Sequence, residues 1–268
     1  MIAKAPLRIS LFGGGSDLPM YRELTGSGGC VLSCTIDRYV TVKPVAIYSD
    51  VPPGSGLGGS GAVHVADALR STPRLSGHAL FRAAWAMEVE ANRHAGWQDV
   101  AASTFGGLNL YTFCEDALQV DRIRIPNGLN ERLLLFGMGV TRKASEPLAM
   151  QAEQMGAHLE AIRESAWQAQ DMASTFARNR LYSVGMLLDA MWQNKRTLPG
   201  VTNERIDTTY ATARNAGATG GKLCGAGGGG YMLFYAEPDT QASVRQAMMG
   251  LGLNELVFNL TTEGATLV

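Results

Sequence analysis

The sequence predicts an α+β protein built in two halves, and three observations carry that expectation. Short β-rich runs and helical apolar stripes are mixed without a steady strand–helix–strand rhythm, which argues for layered α+β halves over a parallel-sheet fold. The texture changes at the turn signal Pro126-Asn127-Gly128, with short strands before it and a long helical pattern after it. Glycine, 32 of 268 residues, is concentrated in three clusters, at Gly13–Gly15, Gly54–Gly61 and Gly225–Gly230. We accordingly divide the chain into residues 1–127 and 128–268.

The elements follow in order. Leu7–Phe12 alternates at its start and reads as a strand entering the first glycine cluster. Cys30–Ile36 and Tyr39–Val45 are β-rich runs expected to form a hairpin turning near Asp37-Arg38. Ala62, Val65, Ala66 and Leu69 give a helical stripe after the second cluster, and Leu80, Ala84, Met87 and Ala91 mark another helix. Leu108–Phe113 and Val120–Ile125 read as strands. Beyond Asn127 come a strand at Leu133–Phe136 and a long helix through Met155, Ile162, Ala173 and Phe176. Two shorter helices follow, around Leu187–Met191 and Ile206–Ala213. The third cluster feeds the strand Tyr231–Tyr235, and a helix near Val244–Leu251 and a strand at Leu256–Leu260 finish the pattern.

Composition narrows the function classes. The chain is 46% hydrophobic and 18% charged with a formal net charge of -1, an ordinary globular balance with no basic footprint for nucleic acid. No run approaches the ~18 apolar residues of a membrane helix, and the first residues lack a signal-peptide core. Cys30, Cys34, Cys114 and Cys224 show neither paired zinc spacing nor disulfide density, so a reduced, cytoplasmic setting is expected, with neither nucleic acid nor membrane as partner.

Glycine costs folding entropy, so its clustering needs a reason. Pro53-Gly54-Ser55-Gly56-Leu57-Gly58-Gly59-Ser60-Gly61 runs straight into a helix, where successive backbone N–H groups and the helix dipole suit phosphate. The Walker pattern fails because Ser60 stands where lysine is required. The dinucleotide pattern is met literally by Gly54, Gly56 and Gly59, but no strand leads in and no acidic residue follows about 20 positions later. Nor is there an H-R-D or D-F-G string of the protein kinases.

This loop resembles the central phosphate loop of the GHMP kinases, which wraps the triphosphate of ATP, with Gly59 standing where the family usually has serine. The stretch from Ala5 through Arg8 and Gly13-Gly14-Gly15-Ser16-Asp17 to Pro19 is similar to the family's N-terminal motif, and Gly221–Tyr231 to its third, pocket-closing motif. Taken singly, Arg8 reads as a surface ion pair and Asp17 as a turn cap; three ordered motifs together read as a site.

The resemblance implies a two-domain fold, with an N-terminal ribosomal-S5-like and a C-terminal ferredoxin-like α+β half. It also implies an ATP- and Mg²⁺-dependent small-molecule kinase, with a homodimer left open. Gly96-Trp97-Gln98-Asp99, Ser103–Asn109 and Gly139–Ser145 are further similar to the D-glycero-D-manno-heptose 7-phosphate kinase subgroup, which implies a sugar phosphate as acceptor. On this likeness Asp99 is the expected general base, and Arg8 is the catalytic cation expected to point its fork at a substrate oxygen or the transferring phosphoryl group. Residues Pro53–Gly61 would hold the nucleotide, with Ser60 and Glu88 facing the metal. Glu90 rivals Glu88, but on a helix the two lie about 200° apart, so both cannot face one ion. The acceptor would meet Gly14, Gly15, Ser16, Asp17, Gly227 and Gly228, and its phosphate would meet Arg142 and Lys143, with Arg38 and Lys222 behind them. His64, His78, His94 and His158 show no ligand spacing, and Trp85 and Trp97 read as packing residues.

Overall fold

The computed structural model describes residues 1–114, 117–140 and 145–268, and side chains of the long helix from Met155 onward. The expected Arg142 and Lys143 lie outside the described residues.

Strand β1 (Ala3–Phe12) carries Leu7, Ile9 and Leu11 alternating with Arg8 and Ser10, and both sets are buried, so layers cover it on both sides. It pairs antiparallel with β2 (Cys30–Lys43), which also holds β3 (Ala46–Ser49), β4 (Leu108–Phe113) and, beyond β4, β5 (Leu118–Ile123). Helices α1 (Pro19–Thr25), α2 (Gly59–Ser71), α3 (Gly77–Ala91) and α4 (Gln98–Phe105) complete this half. After a 3-10 turn comes β6 (Leu133–Gly137), then α5 (Ser145–Ala177), α6 (Val184–Lys195) and α7 (Glu204–Asn215). The chain ends with β7 (Gly220–Leu223), β8 (Tyr231–Tyr235), α8 (Gln241–Gly250), β9 (Asn254–Glu255), β10 (Leu260–Thr261) and β11 (Thr266–Leu267). The first sheet runs β11-β1-β2-β4-β5 with β3 and β10 also on β2; the second runs β7-β8-β6-β9. Its own core stacks Trp192, Tyr210, Phe234 and Phe136.

Two expectations are corrected. No hairpin turns at Asp37-Arg38: β2 is one 14-residue strand, and the turn falls at residues 44–45, before β3. Opposite β1 the register shifts between Pro6↔Tyr39 and Arg8↔Thr35, so the polar pair sits in a bulge. Asp37 is held there by Asn259, whose N and Nδ2 donate to its carboxylate at 2.8 and 2.9 Å. The strand expected at Leu256–Leu260 is instead split into β9 on the second sheet and β10 on the first, so the last residues return to the N-terminal half.

The halves are also stitched by a buried cation. Lys222 on β7 donates from Nζ to the carbonyls of Ser10 (2.9 Å) and Leu11 (3.3 Å) on β1. Burial beside other cations pushes its pKa well below the ordinary lysine value. It is therefore a strut rather than the phosphate-facing cation expected above. Arg38 is likewise committed elsewhere, donating to Asp37 and to the Val257 carbonyl.

Candidate active site

The candidate site forms where β1 passes beneath the phosphate loop. Arg8 is almost wholly buried, and each nitrogen of its guanidinium has a partner. Nη1 donates to the Gly56 carbonyl at 2.6 Å, while Nε and Nη2 both donate to Asp99 Oδ1 at 2.9 and 2.6 Å. Its backbone N–H donates to Leu57 O at 3.0 Å. One side chain thus fixes the loop and the first turn of α4, where the helix N-terminus favours the carboxylate of Asp99. Among the described residues Asp99 Oδ2 has no hydrogen-bond partner, and the residue lines a cavity of about 1060 Å³.

The loop itself ends at Gly58, in left-handed geometry, and α2 begins at Gly59 with no side chain capping its first amides. Such an uncapped N-terminus opening on a cavity suits an anion. Pro53, Gly54, Ser55, Gly56, Gly58, Gly59 and Ser60 line the cavity; Leu57 and Gly61 are buried behind it. Gly56 is bound to be glycine twice over: its φ is +78°, and a Cβ would come within 2.5 Å of the Cys224 carbonyl. The third glycine cluster therefore rests directly on the phosphate loop.

Two carboxylates flank this frame. Asp17 accepts from Gly15 N and Gln98 N, each at 3.2 Å, and lines the cavity with Gly14 and Gly15. Its burial, and then the negative charge of Asp99, push its pKa up, against the two backbone hydrogen bonds. Glu88 is buried, accepts from Ser60 Oγ at 3.1 Å and lies 2.7 Å from His64 Nδ1. Glu90 is exposed, two residues round the helix. His64, which sequence spacing did not single out, thus joins the Ser60–Glu88 pair.

Other expected residues sit apart from the cavity. Ser16 is buried and donates to the carbonyls of Gly13 and Cys30, holding the first glycine turn. Gly227 packs on Val201 and Gly228 donates its N–H to Val201 O, so the third loop offers Gly225 and Ala226 to the cavity instead. Trp85 and Trp97 pack on each other, 5.8 Å between ring centroids, as expected of packing residues. Sequence reasoning missed an apolar wall of Leu18, Met155, Ile162 and Leu198, and the cation Lys195.

Comparison with known proteins agrees with this architecture. Residues 26–107 match the model of the GHMP kinases N terminal domain, and residues 172–250 that of the GHMP kinases C terminal. The chain is 30% identical to a mevalonate kinase of Archaeoglobus fulgidus, across 75% of this chain and 68% of the relative. It is 27% identical to a D-glycero-alpha-D-manno-heptose 7-phosphate kinase of Campylobacter jejuni, across 97% and 96% of the two chains. Among solved structures it resembles a D-glycero-D-manno-heptose 1-phosphate kinase of Bacteroides thetaiotaomicron in fold, with a TM-score of 0.77 at 21% identity over 98% and 97% of the chains. It also resembles a putative sugar kinase of C. jejuni, with a TM-score of 0.68 at 25% identity over 99% and 97%.

The two family models and the mevalonate kinase relative define the class of the chain, a kinase. The chain belongs to the GHMP kinases. It has that family's α+β fold, and ATP is the phosphoryl donor that membership implies. No helix among the described residues is long and apolar enough to cross a membrane.

Proposed function

We propose that the chain transfers the γ-phosphoryl group of ATP to the anomeric 1-hydroxyl of D-glycero-D-manno-heptose 7-phosphate. The product would be the 1,7-bisphosphate, on the way to nucleotide-activated heptose for surface polysaccharide. The observation that carries the reading is the Arg8 clamp, which joins Gly56 of the phosphate loop to Asp99, a residue of the cavity lining, and occupies only its Oδ1.

Phosphoryl transfer needs positioning and charge neutralisation more than covalent help. In this reading the acceptor hydroxyl gives its proton to Asp99 Oδ2 as its oxygen attacks phosphorus. Arg8 and the amides at the start of α2 face the charge on the transferring group. Asp17 accepts from sugar hydroxyls, with Gly14 and Gly15 beside it. The donor set fits Mg²⁺: Ser60 Oγ and the Glu88 carboxylate lie side by side, and Mg²⁺ is held by one or two carboxylates plus phosphate oxygens. When held there by Ser60 and Glu88, it would neutralise phosphate charge. Arg142 and Lys143 stay proposed for the sugar's own phosphate on the subgroup likeness alone. The proposed division at Asn127 is supported by the chain's passage there from the first sheet to the second, although β10 and β11 cross back.

The apolar wall of Leu18, Met155, Ile162 and Leu198, with the 30% identical mevalonate kinase, supports a second reading, a mevalonate-type acceptor. An ADP-release panel of heptose 7-phosphate, free heptose, galactose, fucose and mevalonate separates them. Turnover confined to heptose 7-phosphate, with an anomeric phosphate in the product's phosphorus NMR spectrum, supports the proposal; preference for mevalonate ends it.

A further inference from the structure

Lys195, at the end of α6, lines the same cavity as Arg8 and Asp17 but has no role so far. Its Nζ donates to the carbonyls of Gly225 at 2.6 Å and Leu223 at 3.2 Å, on either side of Cys224, which itself rests on Gly56. An ammonium has three donors, so one is left for the cavity. Two polar atoms without partners also belong to residues lining the cavity: Gln98 Oε1, which can only accept, and the Ser10 hydroxyl, which can donate, are buried and have no hydrogen-bond partner among the described residues. Buried polar groups without partners are rare: the amide oxygen suits a ligand hydroxyl, while the Lys195 ammonium and the Ser10 hydroxyl in the same lining suit an anionic group on that ligand.

We propose that Lys195 is a phosphate-binding residue of the site, taking a phosphate oxygen from the C-terminal wall while Arg8 serves the β1 wall. The inference rests on the phosphoryl-transfer reading above and adds a cation from the C-terminal half among the described residues. The phosphate is either the γ-group of the nucleotide or the one the acceptor already carries; the chemistry is the same and the experiment tells them apart. Burial lowers the Lys195 pKa to about 8, helped by Arg8 and opposed by Cys224 and Asp17, with Lys222 as a further neighbouring cation. A phosphate seated beside the ammonium would raise that pKa again.

The test compares wild type, Lys195→Gln and Lys195→Arg. Glutamine keeps a donor for the loop carbonyls without the charge; arginine keeps the charge. Calorimetry gives Kd for ATP and ADP, and the ADP-release assay gives KM for the phosphorylated acceptor of the panel that wild type turns over. Loss of a charge-assisted hydrogen bond should weaken one phosphate roughly ten- to a hundred-fold, with partial rescue in the arginine variant. Weakened ATP with ADP unchanged assigns the γ-phosphate; a raised acceptor KM with both nucleotides unchanged assigns the acceptor's phosphate. Unchanged constants overturn the proposal, as does equal weakening of ATP, ADP and acceptor together with a lower melting temperature, which marks a loop strut. If wild type turns over only unphosphorylated acceptors, the heptose 7-phosphate reading fails by itself, and Lys195 is decided by the ATP-to-ADP ratio alone. Should Lys195→Gln not fold, lysine acylation of the unaltered protein read by mass spectrometry decides. ATP or the phosphorylated acceptor should shield Lys195 where ADP or the unphosphorylated sugar does not, and unaltered labelling overturns the proposal.

Discussion

Replacing Asp99 by asparagine separates the anchoring of Arg8, which the structure shows, from the general-base role proposed for that side chain. Asparagine keeps the shape and one oxygen for Arg8 but removes the charge and the proton-accepting capacity. Losing one partner of a fully buried ion pair costs about 3–5 kcal/mol. Here the Asp99 side chain is 32% exposed and asparagine still accepts, so about 1–2 kcal/mol is the expected stability loss. For a chain of this length that lowers the melting temperature by about 2–8 °C. Loss of a general base lowers kcat by ~10²-fold or more, equivalent to about 2.7 kcal/mol or more in the barrier. The kinetic loss therefore exceeds the structural one, and it should persist at temperatures where the variant is fully folded. Thermal melting by circular dichroism, ATP calorimetry and the ADP-release assay at saturating substrates give the three readouts. Near wild-type kcat would show that Asp99 only anchors Arg8. Loss of ATP binding in step with kcat would show that the loop, and not the base, was damaged.

Further outcomes follow from the neighbouring residues. A Cβ on Gly96 would lie 1.9 Å from Asp17 Oδ2, so Gly96→Ala should displace Asp17, at a cost of about 1–3 kcal/mol, and raise the acceptor KM while sparing that for ATP; an unaltered acceptor KM would remove Asp17 from recognition. Glu88→Gln and Ser60→Ala should each raise the Mg²⁺ concentration for half-maximal turnover without unfolding the protein, and unchanged Mg²⁺ curves would move the metal elsewhere. Asp17, with its folded pKa raised above 3.8, binds its proton more tightly in the native state, so its stability contribution is present below that value and lost as pH rises through the folded pKa. The melting-temperature difference between Asp17→Asn and wild type should therefore shift in favour of the variant as pH rises from the acid range to neutrality, and a flat difference would contradict the burial argument.

The glycine loops, β1 and the helix after the phosphate loop were legible because each announces itself locally, by φ requirements, alternation or a 3.6-residue stripe. Helix geometry told that Glu88 and Glu90 cannot face one ion but not which of them turns inward; the structure buries the first against Ser60 and exposes the second. The errors come from partners far along the chain. Asp37-Arg38 has the polarity of a turn, but Asp37 is satisfied by Asn259, which no local pattern reveals. Strands β10 and β11 have two residues each, too few for any period, and exist through their pairing with β2 and β1. Lys195 and Lys222 look like solvated charges in sequence; their carbonyl partners lie 28 to 212 residues away. Ser16 shares a motif with Asp17, yet one folds into the turn and the other into the cavity, a distinction set by side-chain direction.

In the function proposed above, the Arg8–Asp99 frame moves phosphorus from ATP to a phosphorylated sugar. Phosphorus NMR of the purified chain incubated with ATP, Mg²⁺ and D-glycero-D-manno-heptose 7-phosphate tests it most directly. The expected result is loss of the γ-phosphate signal, appearance of ADP, and a new anomeric phosphate coupled to the sugar's first proton beside the unchanged 7-phosphate, all absent with Asp99→Asn over the same interval. Intact ATP and sugar phosphate with a folded, ATP-binding wild-type protein, or equal product from Asp99→Asn, would contradict it.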